Sequence, residues 1–386
     1  MDHTASKPID PKVFEAMTPY FKEFYGNPSS LHSFGLDAKK ALEESRAKIA
    51  RLIGAENPEE IRFTSGGTES NNLAIKGVAY RNKKRGNHII TTTIEHMSVM
   101  NTCKYLARQG FEITYVPVDN HGVVDIEKLE NAIKENTILI SVTYASGEIG
   151  TIEPIRKIGK IASDNEVYLH VDAVAAAGKI PINVEDEHIS LMSISSNDMY
   201  GPKGVGALYV KKGTKIQPII HGGGQEMGLR SGTENIPGIV GMAKAAEIAE
   251  GEMEAEGKRL RLLRDKLIKG VLGSIERSYL NGHPTDRLPN NASLRFSYIE
   301  GESLILSLDM LGIYVSSGSA CTTKTLEPSH VLLAIGLAHE EAHGSLLFTL
   351  GKQNKEEDVD YVLEVLPGVV KRLRAMSPLT PKEMVK

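Results

Sequence analysis

An α/β protein, with a mostly parallel sheet between helices and a smaller α+β region beyond it, is the fold class these 386 residues predict. Three observations predict it. Strand-like apolar runs alternate with amphipathic stretches from about residue 60 to residue 210, and such alternation builds parallel sheets covered on both faces. A long Ala-, Glu-, Arg- and Leu-rich stretch over 239–268 then follows, long enough to bridge two domains. The remainder mixes strands and helices without regular alternation. The boundaries read from this are a large domain over 10–250 and a small domain over 251–386 that also takes residues 1–9.

Taking the elements in order, Asp10-Pro11 is an N-cap followed by a first-turn proline, so a helix starts there. The turn-rich loop 25–35 leads into an amphipathic helix, LDAKKALEESRAKIARLIG. Strand EIRFTS runs into GGTESNNLAIKGVAYRN, a glycine turn opening a helix, where free N–H groups and the positive end of the helix dipole coincide. Neither a Walker loop nor a GxGxxG fingerprint is present. Strand HIITTT, a helix around 98–109, strand EITYVPV, helix IEKLENAIKEN, strand TILISVTYA, a helix from Pro154 and strand VYLHVDA continue the pattern. PINV, the stretch LMSISSNDMYGPKGVG and strand GVGALYV follow. Beyond the long helix, strands are expected near ASLRFSY and GIYVSSGSA, and helices near ESLILSLDML, SHVLLAIG and VDYVLEVLPGVVKRLRAM.

Composition narrows the function. Hydrophobic residues are 41%, charged residues 24% and the net charge −4, which describes a soluble globular chain with no electrostatic footing for nucleic acid or membrane. No segment approaches the ~20 apolar residues of a membrane span. With two cysteines, Cys103 and Cys321, a disulfide framework is excluded and a cytoplasmic setting is expected.

Ligands on open α/β sheets sit at the carboxyl ends of strands. The chemistry-bearing candidates fall there: Gly67-Thr68, Glu95-His96, Ser146 to Glu148, Asp172 and Ser195 to Asp198. The stretch from Leu191 to Gly206 reads either as a donor-rich anion site or as an ordinary hairpin turn. Asp172 ends a buried-looking strand, where an ionised carboxylate requires a partner: a ligand cation, a ring N–H or a structural hydrogen bond. His96 is placed to stack on a ring or to titrate, and equally reads as a satisfied half-buried histidine. Cys321, among the small polar residues of SSGSACTTKT, is a reactive nucleophile, a soft-metal ligand or a loop spectator. Cys103 reads as an inert core residue. No HExxH, CxxC or zinc-spaced histidine cluster occurs, which argues against a self-contained metal site.

Taken together, the motifs resemble the cysteine desulfurases of iron–sulfur cluster assembly (NifS/IscS type), within the fold-type I pyridoxal-phosphate proteins. GNPSSLH, FTSGGTESNNLAIKG, TTIEHMSV, GEIGTIEPI, HVDAVAAAGKIPI, YGPKGVGALYV, HGGGQE, RSGTENIPGIVG, SSGSACTT and EPSHVLLAIG carry the resemblance over roughly residues 8–373. It implies that Gly67 and Thr68 hold the phosphate of pyridoxal 5′-phosphate, with Ser195 helping and Thr233 reaching across from the other subunit of a homodimer. It further implies that His96 stacks on the pyridine ring and Asp172 pairs with the ring nitrogen, keeping the ring an electron sink. Cys321 would attack the sulfur of L-cysteine and carry a persulfide to an iron–sulfur scaffold protein.

The chain also departs from the resembled pattern. Ala-His-Lys of the family reads Ser196-Asn197-Asp198 here, so the Schiff-base lysine position holds Asp198 and cofactor binding becomes non-covalent. Asn197, in place of the histidine, retains an amide to donate to phosphate. The family glutamine and asparagine near the cofactor are Ala175 and Gly147, and the arginine that clamps the substrate carboxylate is Leu347. A carboxylate at 198 beside a phosphate costs about 4 kcal/mol per unit pair at ~4 Å and an effective dielectric of 20. A proton on Asp198 or a nearby cation would relieve it. Two readings follow: a desulfurase working with non-covalently held cofactor, or a docking and assembly partner. In the second, Cys321 accepts sulfur made elsewhere or ligates iron of a [2Fe–2S] cluster shared with the scaffold.

Overall fold

Asp10 caps its helix as the sequence predicts: its carboxylate accepts from the Lys12 N–H at 2.9 Å, and Pro11 occupies the first turn. In this computed structural model, which describes residues 1–317 and 328–382, that helix is α1 (Pro11–Met17), followed by α2 (Pro19–Lys22) and α3 (Ser33–Leu52). The alternating part comprises β1 (Ile61–Thr64), α4 (Gly67–Asn82), β2 (His88–Thr92), α5 (Met97–Arg108), β3 (Glu112–Val116), α6 (Ile126–Asn131), β4 (Thr137–Thr143), α7 (Ile155–Asp164) and β5 (Tyr168–Asp172). It closes with the hairpin of β6 (Leu191–Ser195) and β7 (Gly206–Val210).

These strands form one seven-stranded sheet in the order β1-β7-β6-β5-β4-β2-β3, parallel from β6 through β3. The tight β6–β7 hairpin makes β7 antiparallel to both its neighbours. As a result β1 runs in the same direction as β6, and all the loops named above leave from one edge. Helices cover both faces. Ile49, Leu129, Ile158 and Met242 share one core with inward residues of the sheet, while Leu73, Val78, Cys103 and Leu106 from α4 and α5 pack on the other face. Cys103 is fully buried, and burial pushes its thiol up to about 12, which leaves it inert.

Helix α8 (Ile236–Ser274) is longer than the sequence pattern suggests and contributes to two cores. Its Ile239, Met242 and Ala246 pack on the large sheet, and its Leu260, Leu267 and Val271 pack on a second, three-stranded sheet. That sheet holds β8 (Ser278–Leu280), β9 (Asn291–Phe296) and β10 (Ser345–Thr349), all antiparallel, in the order β10-β9-β8. Residues of α9 (Gly301–Asp309) and α12 (Glu356–Met376) share its core, while α10 (His330–Ala334) and α11 (His339–His343) place Val331, Leu332 and Ala342 in a separate cluster with Ile94 and Ile149.

Several elements differ from expectation. α6 ends at Asn131 because the Lys134 N–H turns to the Thr137 hydroxyl at 2.8 Å and leads straight into β4. PINV forms no strand; the Val184 N–H bonds the Ile53 carbonyl instead. Of GIYVSSGSA, Ser316 alone makes a bridge, to Leu347, and residues 318–320 lie outside the described part. Strand β10 was not anticipated, since LLFT shows no polar alternation. Both its faces are covered, with Leu346 and Phe348 in the small core and Leu347 opposite Ser293 on the other face. Among the described residues no helix is long and apolar enough to cross a membrane.

Candidate active site

The site is assembled at the carboxyl edge of the large sheet. β1 leads through Ser65-Gly66 into α4, which starts at Gly67 with no side-chain cap. The N–H groups of Gly67 and Thr68 have no acceptor among the described hydrogen bonds, as the first turn of a helix leaves them. Gly66 has φ 147°, a conformation that glycine alone adopts freely, with open space on its Cβ side. A Cβ on Gly206 would stand 2.6 Å from the Gly66 Cα, so glycine there lets β7 lie against this turn. Thr68 is exposed at the mouth and Ser195, at the end of β6, is half-buried. The Ser196 hydroxyl, which lies against Gly201, and the Asn197 Oδ1, an acceptor, are buried and unpartnered. The free N–H groups of Gly67 and Thr68 and the hydroxyls of Thr68 and Ser195 are donors of the kind an anion takes.

Across the edge, β5 delivers Asp172, which is 5% exposed. Its Oδ1 accepts from the Val174 N–H at 3.1 Å and its Oδ2 from Asn71 Nδ2 at 2.7 Å. Asn71 also donates to the Ser98 hydroxyl at 2.8 Å, and Ser98 lies 2.8 Å from His96 Nδ1 while its N–H donates to the same nitrogen at 3.1 Å. Because Nδ1 accepts, the neutral ring carries its proton on Nε2. One chain of hydrogen bonds therefore orients both the exposed ring of His96 and the buried carboxylate of Asp172. Burial pushes the Asp172 carboxyl up, and the charge of His96 opposes that shift. No ammonium or guanidinium pairs with Asp172 among the described ion pairs. A cationic ring N–H is the kind of partner this carboxylate lacks.

Glu95, next to His96, is fully buried and pushed up to about 8 by desolvation. Its Oε1 accepts from the Thr92 hydroxyl at 2.7 Å and the Thr143 N–H at 2.9 Å, while Oε2 has no partner, the place for the proton. His170, inside the sheet, lies 2.8 Å from the Ser141 hydroxyl and 2.9 Å from that of Ser193; burial alone drops it to about 3, so it stays neutral.

Asp198 lies in a short 3-10 turn after β6. Lys179 Nζ stands 3.2 Å from its Oδ1, and Lys7 Nζ stands 2.5 Å from its carbonyl oxygen and 3.8 Å from Oδ1. Of the two reliefs the sequence allowed, a proton or a nearby cation, lysine side chains supply the second. Ala175 and Gly147 adjoin each other: a Cβ on Gly147 would stand 3.6 Å from that of Ala175. Thr233 is exposed on the loop before α8 and makes no contact with the cradle in this chain; Arg230, three residues earlier, ties that loop to Glu69 at 2.9 Å. Cys321 lies outside the described residues. No group of three or more His, Cys, Asp or Glu suited to a metal ion occurs among the described residues. Asn71, Ser98, Lys7 and Lys179 were not foreseen. The repeated Asn in ESNN was the one available signal, since a polar pair early in a helix needs partners.

Known proteins are similar to this chain over most of its length. The class-V aminotransferase family matches residues 1–362. The chain is 59% identical over 378 residues to cysteine desulfurase IscS 1 of Archaeoglobus fulgidus, covering 98% of both chains. It is 55% identical to cysteine desulfurase IscS of Methanosarcina thermophila, over 99% of this chain and 94% of the other. The chain belongs to the cysteine desulfurases of the class-V aminotransferase family. Among solved structures, a NifS-like protein superposes on this desulfurase-family chain with a TM-score of 0.90 and 42% identity, over 96% of this chain and 99% of that one. SspA in complex with cysteine superposes with a TM-score of 0.80 and 36% identity, over 90% and 97%.

Proposed function

We propose that this protein is a cysteine desulfurase of iron–sulfur cluster assembly, mobilising sulfur from L-cysteine as a persulfide on Cys321 for a scaffold partner. The observation that carries the reading is the Asp172–Asn71–Ser98–His96 chain facing an uncapped helix start. That is a set of residues suited to a phosphorylated, cationic aromatic ring, on a chain whose relatives over full length are named cysteine desulfurases. Gly67, Thr68, Ser195 and Asn197 would hold the phosphate of pyridoxal phosphate, His96 would cover the ring and Asp172 would hold the ring N–H. Bound there, the cofactor supplies an electron sink for the substrate's carbon skeleton. Asp198 offers no amine, so this binding is non-covalent.

Cys321 in thiolate form attacks the substrate sulfur. The carbon–sulfur bond breaks, its electron pair stays on carbon and takes up a proton, and the sulfur leaves as the Cys321 persulfide. The family resemblance adds to the reading a homodimer to which Thr233 contributes, a cytoplasmic setting and transfer to a scaffold partner; a [2Fe–2S] cluster shared with the scaffold through Cys321 belongs to the alternative reading as an assembly partner. Exposed Phe14, Phe21, Tyr25, Leu31 and Phe34 near the amino terminus support an apolar face covered by a second copy. The test is sulfide release from L-cysteine with a thiol reductant and excess pyridoxal phosphate. Release is expected from the native chain and not from Cys321→Ser; no release at saturating cofactor overturns the reading.

A further inference from the structure

Residues 1–7 run from the small sheet to the turn that carries Asp198. The Thr349 N–H donates to the Met1 carbonyl at 2.8 Å, and the His3 and Thr4 N–H groups donate to the Thr349 hydroxyl at 2.7 and 3.0 Å. Thr4 then passes Gly147, whose Cβ would stand 3.8 Å from Thr4 Cγ2. The segment ends with Lys7, whose side chain is 2% exposed and whose ammonium lies 5.1 Å from the centre of the Tyr200 ring and against Asp198. Lys179 approaches the same carboxylate while donating to the Ala175 carbonyl at 2.7 Å. Lys7, Lys179 and Asp198 line a common cleft with Met253 and Leu260 of α8. Gly67, Thr68, His96, Asp172 and Ser195 do not line it.

We propose that Lys7 is a positioning residue for the phosphate-bearing cofactor: with Lys179 it holds the Asp198 carboxylate in the α8 cleft and cancels its charge, so that the cradle at Thr68 and Ser195 accepts an anion unopposed. This rests on the reading of the site as a pyridoxal-phosphate site. Three facts support it. Position 198 is three residues beyond Ser195 and next to Asn197, so an unpaired carboxylate there would act on the same phosphate. Asp198 makes no described hydrogen bond to any cradle residue; its carboxylate contacts are the two lysines. Burying a lysine is costly without strong reason, and here burial, followed by the charge of Lys179, lowers the Lys7 amine to about 7.

The experiment is equilibrium binding of pyridoxal phosphate and of unphosphorylated pyridoxal to the full-length protein, Lys7→Met, Asp198→Asn and the double variant. Lys7→Met is expected to weaken pyridoxal phosphate about tenfold and pyridoxal less than about twofold, since the effect acts through the phosphate charge. Adding Asp198→Asn is expected to restore the native affinity, because no carboxylate then remains to be neutralised. Equal weakening of both ligands, or no rescue by Asp198→Asn, overturns the proposal. A native chain that binds neither ligand overturns the functional reading itself, and the cofactor role of Lys7 with it.

Discussion

At Asp172 one buried carboxylate is held by neutral donors, Asn71 and the Val174 N–H, whereas at Asp198 two ammonium groups crowd a half-buried one. Neutral donors fix the position of a carboxylate and leave its charge available to an incoming cation. Ammonium groups consume that charge. The first end of the site is therefore prepared for a ligand, and the second is already neutralised from within the chain. Buried charge serves recognition only where the protein leaves it unbalanced.

The most severe way to break this comparison is Asp172→Ala. Sulfide release at saturating cofactor is expected to fall at least about 100-fold, the scale for loss of one preorganised electrostatic partner, against less than about tenfold for Asp198→Ala. Comparable losses at both positions would erase the distinction between the two ends.

Glu95 sharpens the contrast, since Asp172 also helps keep it protonated. Its folded-state value of about 8 lies above the ordinary 4.5, so between those values the folded chain keeps a proton that the unfolded chain releases. Stability from this group is present below about pH 4.5 and is lost as pH rises toward 8. Relative to the native chain, Glu95→Gln is expected to gain about tenfold in the folding equilibrium per pH unit across that window. Urea unfolding at a series of pH values measures it; parallel pH dependence in the two proteins would count against the assignment.

The smallest effect is expected from Asn71→Ala. Asp172 Oδ2 and the Ser98 hydroxyl lose their donor, at a cost of about 1–3 kcal/mol in denaturant unfolding. A change below about 0.5 kcal/mol would mean that water replaces the amide without loss.

Much of the molecule was legible before its structure. The alternation of apolar runs with amphipathic stretches from β1 to β7 gives the order of strands and helices, and the glycine turn at Gly66-Gly67 marks where a helix starts with free N–H groups, because these depend on local pattern and backbone freedom. Strand β10 was not legible. LLFT is apolar on both faces, and only its pairing with β9 shows it to be a strand. Lys7 was equally silent, a single lysine in a stretch that reads as loose and polar.

What the sequence by itself determined is the order of elements, the carboxyl-edge placement of His96, Asp172 and Ser195, and the carboxylate at 198. Those follow from contacts close along the chain or from residue identity. Only the tertiary structure decided that Lys7, 191 positions away, would meet Asp198, and that Asn71 and Ser98 would join His96 to Asp172. The physical reason is that charge compensation and hydrogen-bond chains act over a few ångströms of space, and packing sets those distances without regard to separation in sequence.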